Sequence, residues 1–333
     1  MKIIRCDQPQ FNNLFSDFFH LMKEQPHDYM PSFTKWSNDN LLSRDHQFED
    51  KSFLLLDNDI VVCAFLGTVE IKPDKTKILS YYGNSTVCFF SSINNRKYNT
   101  GINKIVKNEL NTLLDLVDQN IKYRDYLVDG AIDSVTNTLL SKGASHDLIF
   151  ISTINLMRDL SVIRSDIRKS YKSLINWGDK NLKIEIFDHN NITQRNIQKF
   201  RELHIQESGR ETRTLDNWLI QYDMIKNNEA FLVMGYLEDA LVSAGFFNHS
   251  PTVCNYGSSA SNRGLFDKPL FHGIMWKAIL HAKSIGCNDF EVGERHFQNK
   301  NNSHFSQKEL DISYFKAGFS GEVKVYLDVN NIH

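Results

Sequence analysis

Hydrophobic periodicity and turn residues give the order hairpin, strand, helix, strand, helix, strand, and the order occurs twice, at 52–154 and at 230–329. Few folds are open to a chain that repeats such an order. Sequence identity between the halves is low, so the economical reading is two similarly built α/β domains, 1–158 and 159–333, with the boundary near 155–162. In the first half, a helix opened by Pro9 carries Phe11, Leu14, Phe15, Phe18, Phe19 and Met22 at helical spacing. The apolar runs 53–56 and 60–69 then flank Asp57, Asn58 and Asp59, residue types that tolerate positive φ and so close a hairpin. A strand near 78–82, an Asn-rich polar loop, a helix over 102–121, a strand at 126–128, a helix over 132–140 stopped by Gly143 and a strand at 148–154 follow.

The second half reads as a basic helix over 164–177, a strand at 182–187 and helices over 193–207 and 215–225. A hairpin of 231–236 and 241–247 comes next, then a strand at 253–258 and a helix over 270–284. The short strand 290–292, a polar loop, a short helical piece at 312–315 and a strand at 323–329 complete it.

With 333 residues, 41% of them hydrophobic and 12% aromatic, the chain has ample material for two cores. Lysine and arginine number 38 against 40 acids, a net charge of −2, so no bulk field favours nucleic acid or an anionic membrane, and any polyanion site is local. The five cysteines have neither CxxC nor CxH spacing, so neither a zinc site nor a disulfide framework is expected. No apolar run approaches the length of a membrane span and the start of the chain lacks a signal-type apolar region. The expectation is a cytoplasmic protein without an integral membrane segment, peripheral membrane contact being left open.

Chemistry-bearing residues concentrate in the second half. Arg164, Arg168 and Lys172 fall on one face of the expected 164–177 helix, a stripe that fits phosphate oxygens or simply a solvated face. Arg210 and Arg213 stand in a glycine-containing loop, where they wrap an anion or favour the last carbonyls of the preceding helix. The small polar run 255–262 lets a backbone edge approach a ligand or makes a turn, and the loop 263–269 leads into a helix whose free amides favour anions. The glycine pattern there is neither a Walker loop nor a dinucleotide fingerprint. His272 lies near that helix's start with Trp276 one turn on, Glu291 and Glu294 flank Gly293 at a strand end, and Lys316 sits between Phe315 and Phe319. No Ser-His-Asp or Cys-His order is present.

The stretch 269–321 resembles the C-terminal signature of the FemAB-like (FemX-type) branch of the GNAT acyltransferase superfamily. The matching residues are His272, Trp276, Ala278, Ile279, Ala282, Lys283 and Gly286, then Glu291 and Gly293, then Ile312, Phe315, Lys316, Gly318, Phe319 and Gly321. The arginine helix, the 203–213 loop, Trp218 and the 230–233 strand extend the resemblance over about 160–325. It implies tandem GNAT-like domains, each a mixed, mostly antiparallel sheet flanked by helices, and transfer of an aminoacyl or acyl group onto an amine. The acceptor implied is an amine-bearing glycan or nucleotide sugar of the cell envelope, peptidoglycan or surface polysaccharide. The co-substrate implied is aminoacyl-tRNA or acyl-CoA, with no bound cofactor.

In those terms Lys316 is expected to stabilise the oxyanion or a phosphate, Glu294 or His272 to act as base, and Tyr256 to position the substrate or deliver a proton. Arg164, Arg168, Arg210 and Arg213 are expected to hold phosphates, and Trp276 and Glu291 to contact substrate. Two departures accompany the resemblance. The loop that cradles the pyrophosphate of acetyl-CoA in ordinary GNAT enzymes is replaced by residues 262–267, and no coiled-coil insertion of the kind that engages tRNA is present. Two other readings remain: an acyl-CoA-dependent N-acetyltransferase of an amino sugar, and a non-catalytic GNAT pair that binds a ligand or partner.

Overall fold

The computed structural model describes residues 1–97, 99–297 and 305–332. It divides into two compact units, one made of Met1–Lys23, Ser37–Ile149 and Val325–His333, the other of Glu24–Trp36 and Phe150–Lys324.

The first unit carries β1 (Lys2–Arg5), α1 (Phe11–His20) and most of its sequence after α2 (Pro31–Leu42), a helix whose residues up to Trp36 count with the second unit. Then come β2 (Gln47–Asp50), β3 (Phe53–Asp57), β4 (Ile60–Leu66), β5 (Thr68–Ile71), β6 (Lys77–Ser80) and β7 (Val87–Phe90). After them stand α3 (Ile93–Lys97), α4 (Thr100–Leu116), β8 (Lys122–Asp125) and α5 (Ser134–Ser141). The β3–β4 turn uses Asn58 and Asp59 at φ 48° and 62°, the conformation their short polar side chains tolerate. Strands β1-β3-β4-β7 form one antiparallel sheet and β2-β5-β6 another. Phe53, Leu55 and Phe65 are buried with Ile102, Val106, Leu110 and Leu114, which recur along α4 at helical spacing. Two sequence readings shift here. The strand expected at 126–128 lies at β8, because Leu127 turns left-handed (φ 48°), and the expected polar loop contains β7, whose Val-Cys-Phe-Phe pairs with β4.

The second unit takes β9 (Ala144–Asn155) from Phe150 onward, then α6 (Leu160–Asp166), α7 (Lys169–Asn181), β10 (Lys183–Phe187), α8 (Gln194–Ser208) and α9 (Leu215–Lys226). It continues with β11 (Ala230–Leu237), β12 (Ala240–His249), β13 (Val253–Ser261), α10 (Leu270–Ser284), β14 (Asp289–Glu294), α11 (Gln307–Lys316) and the start of β15 (Glu322–Ile332). Most of the polar loop expected between β14 and α11, residues 298–304, lies outside the described residues. The strand order is β10-β11-β12-β13-β14-β9, antiparallel except for β13 and β14, which are parallel and joined by the crossover helix α10.

Side chains alternate across this sheet with the period of two that strands impose. Phe231 and Val233 are buried with Ile274 and Ile279 of α10, whereas Leu232 and Met234 are buried with Phe200 of α8 and Trp218 of α9. Helices α7 and α10 cross at two glycines, where a Cβ added to Gly178 would stand 3.0 Å from Gly273 Cα. The single helix expected over 164–177 is broken. Ile167 and Arg168 are extended (ψ 136° and 131°), with Ile167 buried in the core and the Arg168 N–H donating to the Gly318 carbonyl at 2.9 Å. Arg164 and Arg168 therefore do not share a helix face.

Candidate active site

Parallel strands β13 and β14 are paired only at Val253–Asp289, Cys254–Phe290 and Asn255–Glu291, after which β13 continues along β12 and the two part. Tyr256 follows the last pair on one side of this wedge. On the other side the register against β9 shifts between Glu291 and Gly293, and Gly293 adopts φ 121°, a conformation that favours glycine. The missing side chain has a use. A Cβ on Gly293 would stand 2.4 Å from Nζ of Lys316, so the bare backbone leaves room for the lysine, which reaches in from the last residue of α11. That nitrogen lies 5.7 Å from the centroid of the Tyr256 ring and makes no hydrogen bond or ion pair among the described residues. Burial pulls its pKa below the ordinary lysine value, with the nearby Glu294 carboxylate opposing the shift. Burial pushes the phenol of the partly buried Tyr256 up to about 12, and it shares a hydrogen bond with Ser259 Oγ.

A cavity of about 860 Å³ opens beside this wedge, walled by Tyr256 and Ser259 of β13, Phe271 and His272 of the first turn of α10, Phe315 of α11 and His204 of α8. The His272 ring meets Tyr171 edge-on at 4.5 Å and Phe315 at 5.2 Å. Neither of its buried nitrogens has a hydrogen-bond partner among the described residues. Burial pushes its pKa down to about 4; the Pro269 carbonyl opposes the shift without reaching hydrogen-bonding geometry. At neutral pH His272 is thus a neutral imidazole packed among aromatic rings. His204 is likewise held below the ordinary histidine value, by burial and by Arg213.

The remaining residues singled out in the sequence lie around this centre. Glu291 is buried on β14 opposite Asn255, and Glu294 is exposed at the strand end, 3.7 Å from His296 Nε2. Trp276 is buried under the Arg164 guanidinium at 4.7 Å; Arg164 Nη2 donates to Asn176 Oδ1 at 2.8 Å. Arg168 stacks on Tyr314 at 3.9 Å and donates to the Tyr314 carbonyl. Arg213 stacks on Trp218 at 4.4 Å and is pulled down to about 10 by burial, while Arg210 is exposed in the loop after α8. None of the four arginines lines the cavity. The fold thus assembles Tyr256 and His272 directly and Lys316 through Tyr256. Sequence reasoning passed over Phe271, Glu207 and Lys308, which also line the cavity. The signal for Phe271 was its place beside His272 at a helix start; for the other two, on polar helix surfaces, there was none.

Among the described residues no helix is long and apolar enough to cross a membrane. No family model and no curated protein sequence matches the chain. Solved structures do. FemX is similar over 100% of this chain and 96% of its own, with a TM-score of 0.66 and 12% identity. The C-terminal domain of a putative lysylphosphatidylglycerol synthetase from Agrobacterium fabrum is similar over 96% of this chain and 91% of its own (TM-score 0.56, 9% identity). A tandem GNAT protein from the clavulanic acid biosynthesis pathway is similar over 100% and 98% (TM-score 0.50, 8% identity). At such identities the likeness is one of fold: over its whole length this chain has the tandem GNAT fold, in the form that FemX has it.

Proposed function

We propose that this protein is an N-acyltransferase that moves an aminoacyl or acyl group onto an amine of a cell-envelope glycan, or of its nucleotide- or lipid-linked precursor. The observation that carries the reading is the wedge between β13 and β14, where a lysine nitrogen without a hydrogen bond or ion pair among the described residues is held over Tyr256 and against Gly293, beside a cavity. The likeness to FemX and to a lysylphosphatidylglycerol synthetase domain supports it. In this reading the chain works in the cytoplasm, with aminoacyl-tRNA or acyl-CoA as co-substrate.

The chemistry follows from the side chains. The acceptor amine attacks the donor's carbonyl carbon, a C–N bond forms and the carbonyl electrons move onto oxygen; a cationic Lys316 stabilises that oxyanion in a poorly solvated site. The intermediate collapses with loss of the donor's ester oxygen or thioester sulfur, and the proton given up by the nitrogen ends on that leaving group. His272, its ring packed among Tyr171, Phe315 and Phe319, shapes the cavity wall, and Tyr256, protonated throughout the neutral range, supplies a donor near the leaving atom. The arginines act farther out, on phosphates of donor or acceptor.

Mass spectrometry of amine-bearing nucleotide sugars and lipid-linked precursors, incubated with the protein and either charged tRNA or acetyl-CoA, tests the reading. A mass gain of one aminoacyl or acyl group on an acceptor amine is expected. Silence with both donors across these acceptors would overturn it in favour of a binding module.

A further inference from the structure

Strand β13 carries one residue more than β12 can pair. The pairs run Asn248–Asn255 and Phe247–Tyr256, and the next is Phe246–Ser258, which leaves Gly257 without a partner on β12. Glycine fits this bulge because a Cβ there would stand 2.7 Å from Asn248 Nδ2 and 3.3 Å from the Phe246 carbonyl oxygen. The extra residue reverses the alternation of the strand. Cys254 and Tyr256 pack on the α10 side with Phe247 and Phe290, and an unbroken strand would put Ala260 there too; instead Ala260 is buried on the α8 side with Phe200 and Met234. Ser259 is thereby brought round to the face of Tyr256. Its Oγ lies 2.5 Å from the phenol oxygen, and both residues line the cavity.

The pair is held still and has capacity to spare. The Tyr256 ring stands between Phe247 and Phe271, with centroids 5.7 and 5.4 Å away, and among the described residues neither hydroxyl makes a further hydrogen bond. Each hydroxyl both donates and accepts, so one O–H and lone pairs on both oxygens remain for a substrate. The spacing suits the proposed chemistry. Two heteroatoms bonded to one tetrahedral carbon are roughly 2.4 Å apart, which matches the two oxygens closely enough for each to face one of them.

We propose that Ser259 is a catalytic residue of the transfer, the first hydroxyl of a two-member proton relay. As the tetrahedral intermediate collapses, Ser259 Oγ accepts the proton that the attacking nitrogen gives up and passes its own to Tyr256 Oη, whose proton goes to the departing oxygen or sulfur. The carbonyl re-forms as the bond to that atom breaks, and neither hydroxyl is left charged. This rests on the acyl-transfer reading of the cavity.

Transfer kinetics of the full-length protein, followed by mass spectrometry, test it with Ser259→Ala, Ser259→Thr, Tyr256→Phe and the double variant of Ser259→Ala and Tyr256→Phe. Ser259→Ala is expected to lower kcat about 100-fold with KM within about two-fold of the wild type, and Tyr256→Phe at least as much. Ser259→Thr, which keeps the hydroxyl, should stay within about 10-fold of the wild type. The double variant should be no more than about two-fold slower than Tyr256→Phe, because a broken relay cannot be broken twice. In mixtures of H2O and D2O the single-turnover rate of the wild type should fall along a curve, as when more than one proton moves together, and that of Ser259→Ala along a straight line. Thermal melts check folding, and Ser259→Val, which has the shape of the threonine variant without its hydroxyl, repeats the comparison if Ser259→Ala melts early. Unchanged kcat in Ser259→Ala, a loss confined to KM, losses that multiply in the double variant, or a straight line for the wild type would each overturn the relay. Silence of the wild type overturns the acyl-transfer reading and this assignment with it, whereas transfer that persists undiminished in Ser259→Ala overturns this assignment alone.

Discussion

Lys316 is the residue on which function should hang and stability should not. Its nitrogen has no ion pair among the described residues, so Lys316→Ala removes a partly desolvated charge without orphaning a partner. Turnover in the transfer assay is expected to fall by about 100-fold or more, as for loss of an oxyanion donor, while the melting temperature changes by no more than a few degrees. A variant with full activity would remove Lys316 from the reaction. Two buried histidines contribute to the acid limb of stability. Burial pushes both His249, which keeps a contact from Nδ1 to the Ser250 carbonyl at 3.2 Å, and His272 down to about 4. The unfolded chain takes up these protons first, near pH 6.5, so the stability is whole above that pH and is lost progressively as pH falls toward 4. For His249 the loss is up to about 3 kcal/mol, and for the less buried His272 it is smaller. Chemical denaturation at pH 7, 5.5 and 4.5 should show this slope, and His272→Asn should flatten it; an unchanged slope would refute the assignment to His272.

At the scale of elements, the contact between α7 and α10 is set by glycine facing glycine. Gly178→Val puts a branched side chain where backbone already stands at 3.0 Å. It is expected to destabilise the protein by roughly 1–3 kcal/mol, read as a lower denaturant midpoint. The same contact shows what local pattern conveys and what it does not. The amphipathic period of α4, the β3–β4 turn and the order hairpin, strand, helix, strand in the second unit were all legible, because each depends on residues within a turn or two of one another. The arginine stripe was not. Its continuity required Ile167 and Arg168 to be helical, and they are extended because Ile167 is drawn into the core and the Arg168 amide to Gly318, about 150 residues on. Arg164 and Arg168 then meet Trp276 and Tyr314 rather than each other.

At the scale of the whole molecule, the chain's two ends of sequence do not sort by half. Residues 325–333 belong to the unit that contains the N-terminus, where Leu327 and Val329 are buried in the core and β15 pairs with β8 from Leu327–Asp125 to Asn330–Lys122. A chain ending at Lys324 loses two buried aliphatic side chains, each worth about 1.5–3 kcal/mol, together with that ladder. Hydrogen exchange should then show reduced protection in β8 except at Arg124, whose amide donates to the Thr86 carbonyl; unchanged protection throughout β8 would mean that the ladder to β15 does not hold it. The element order, the hairpin turn and the resemblance to FemX-type proteins were determined by the sequence itself, because periodicity, turn chemistry and motif spacing are local properties of a chain. Which side chains meet was decided only by the tertiary structure. Lys316 reaches Tyr256 and Gly293 through a strand splay and a bulge, and Glu207 reaches Arg263 across more than 50 residues. Sheet register and helix packing set those distances, and neither is written in the spacing of residues along the chain.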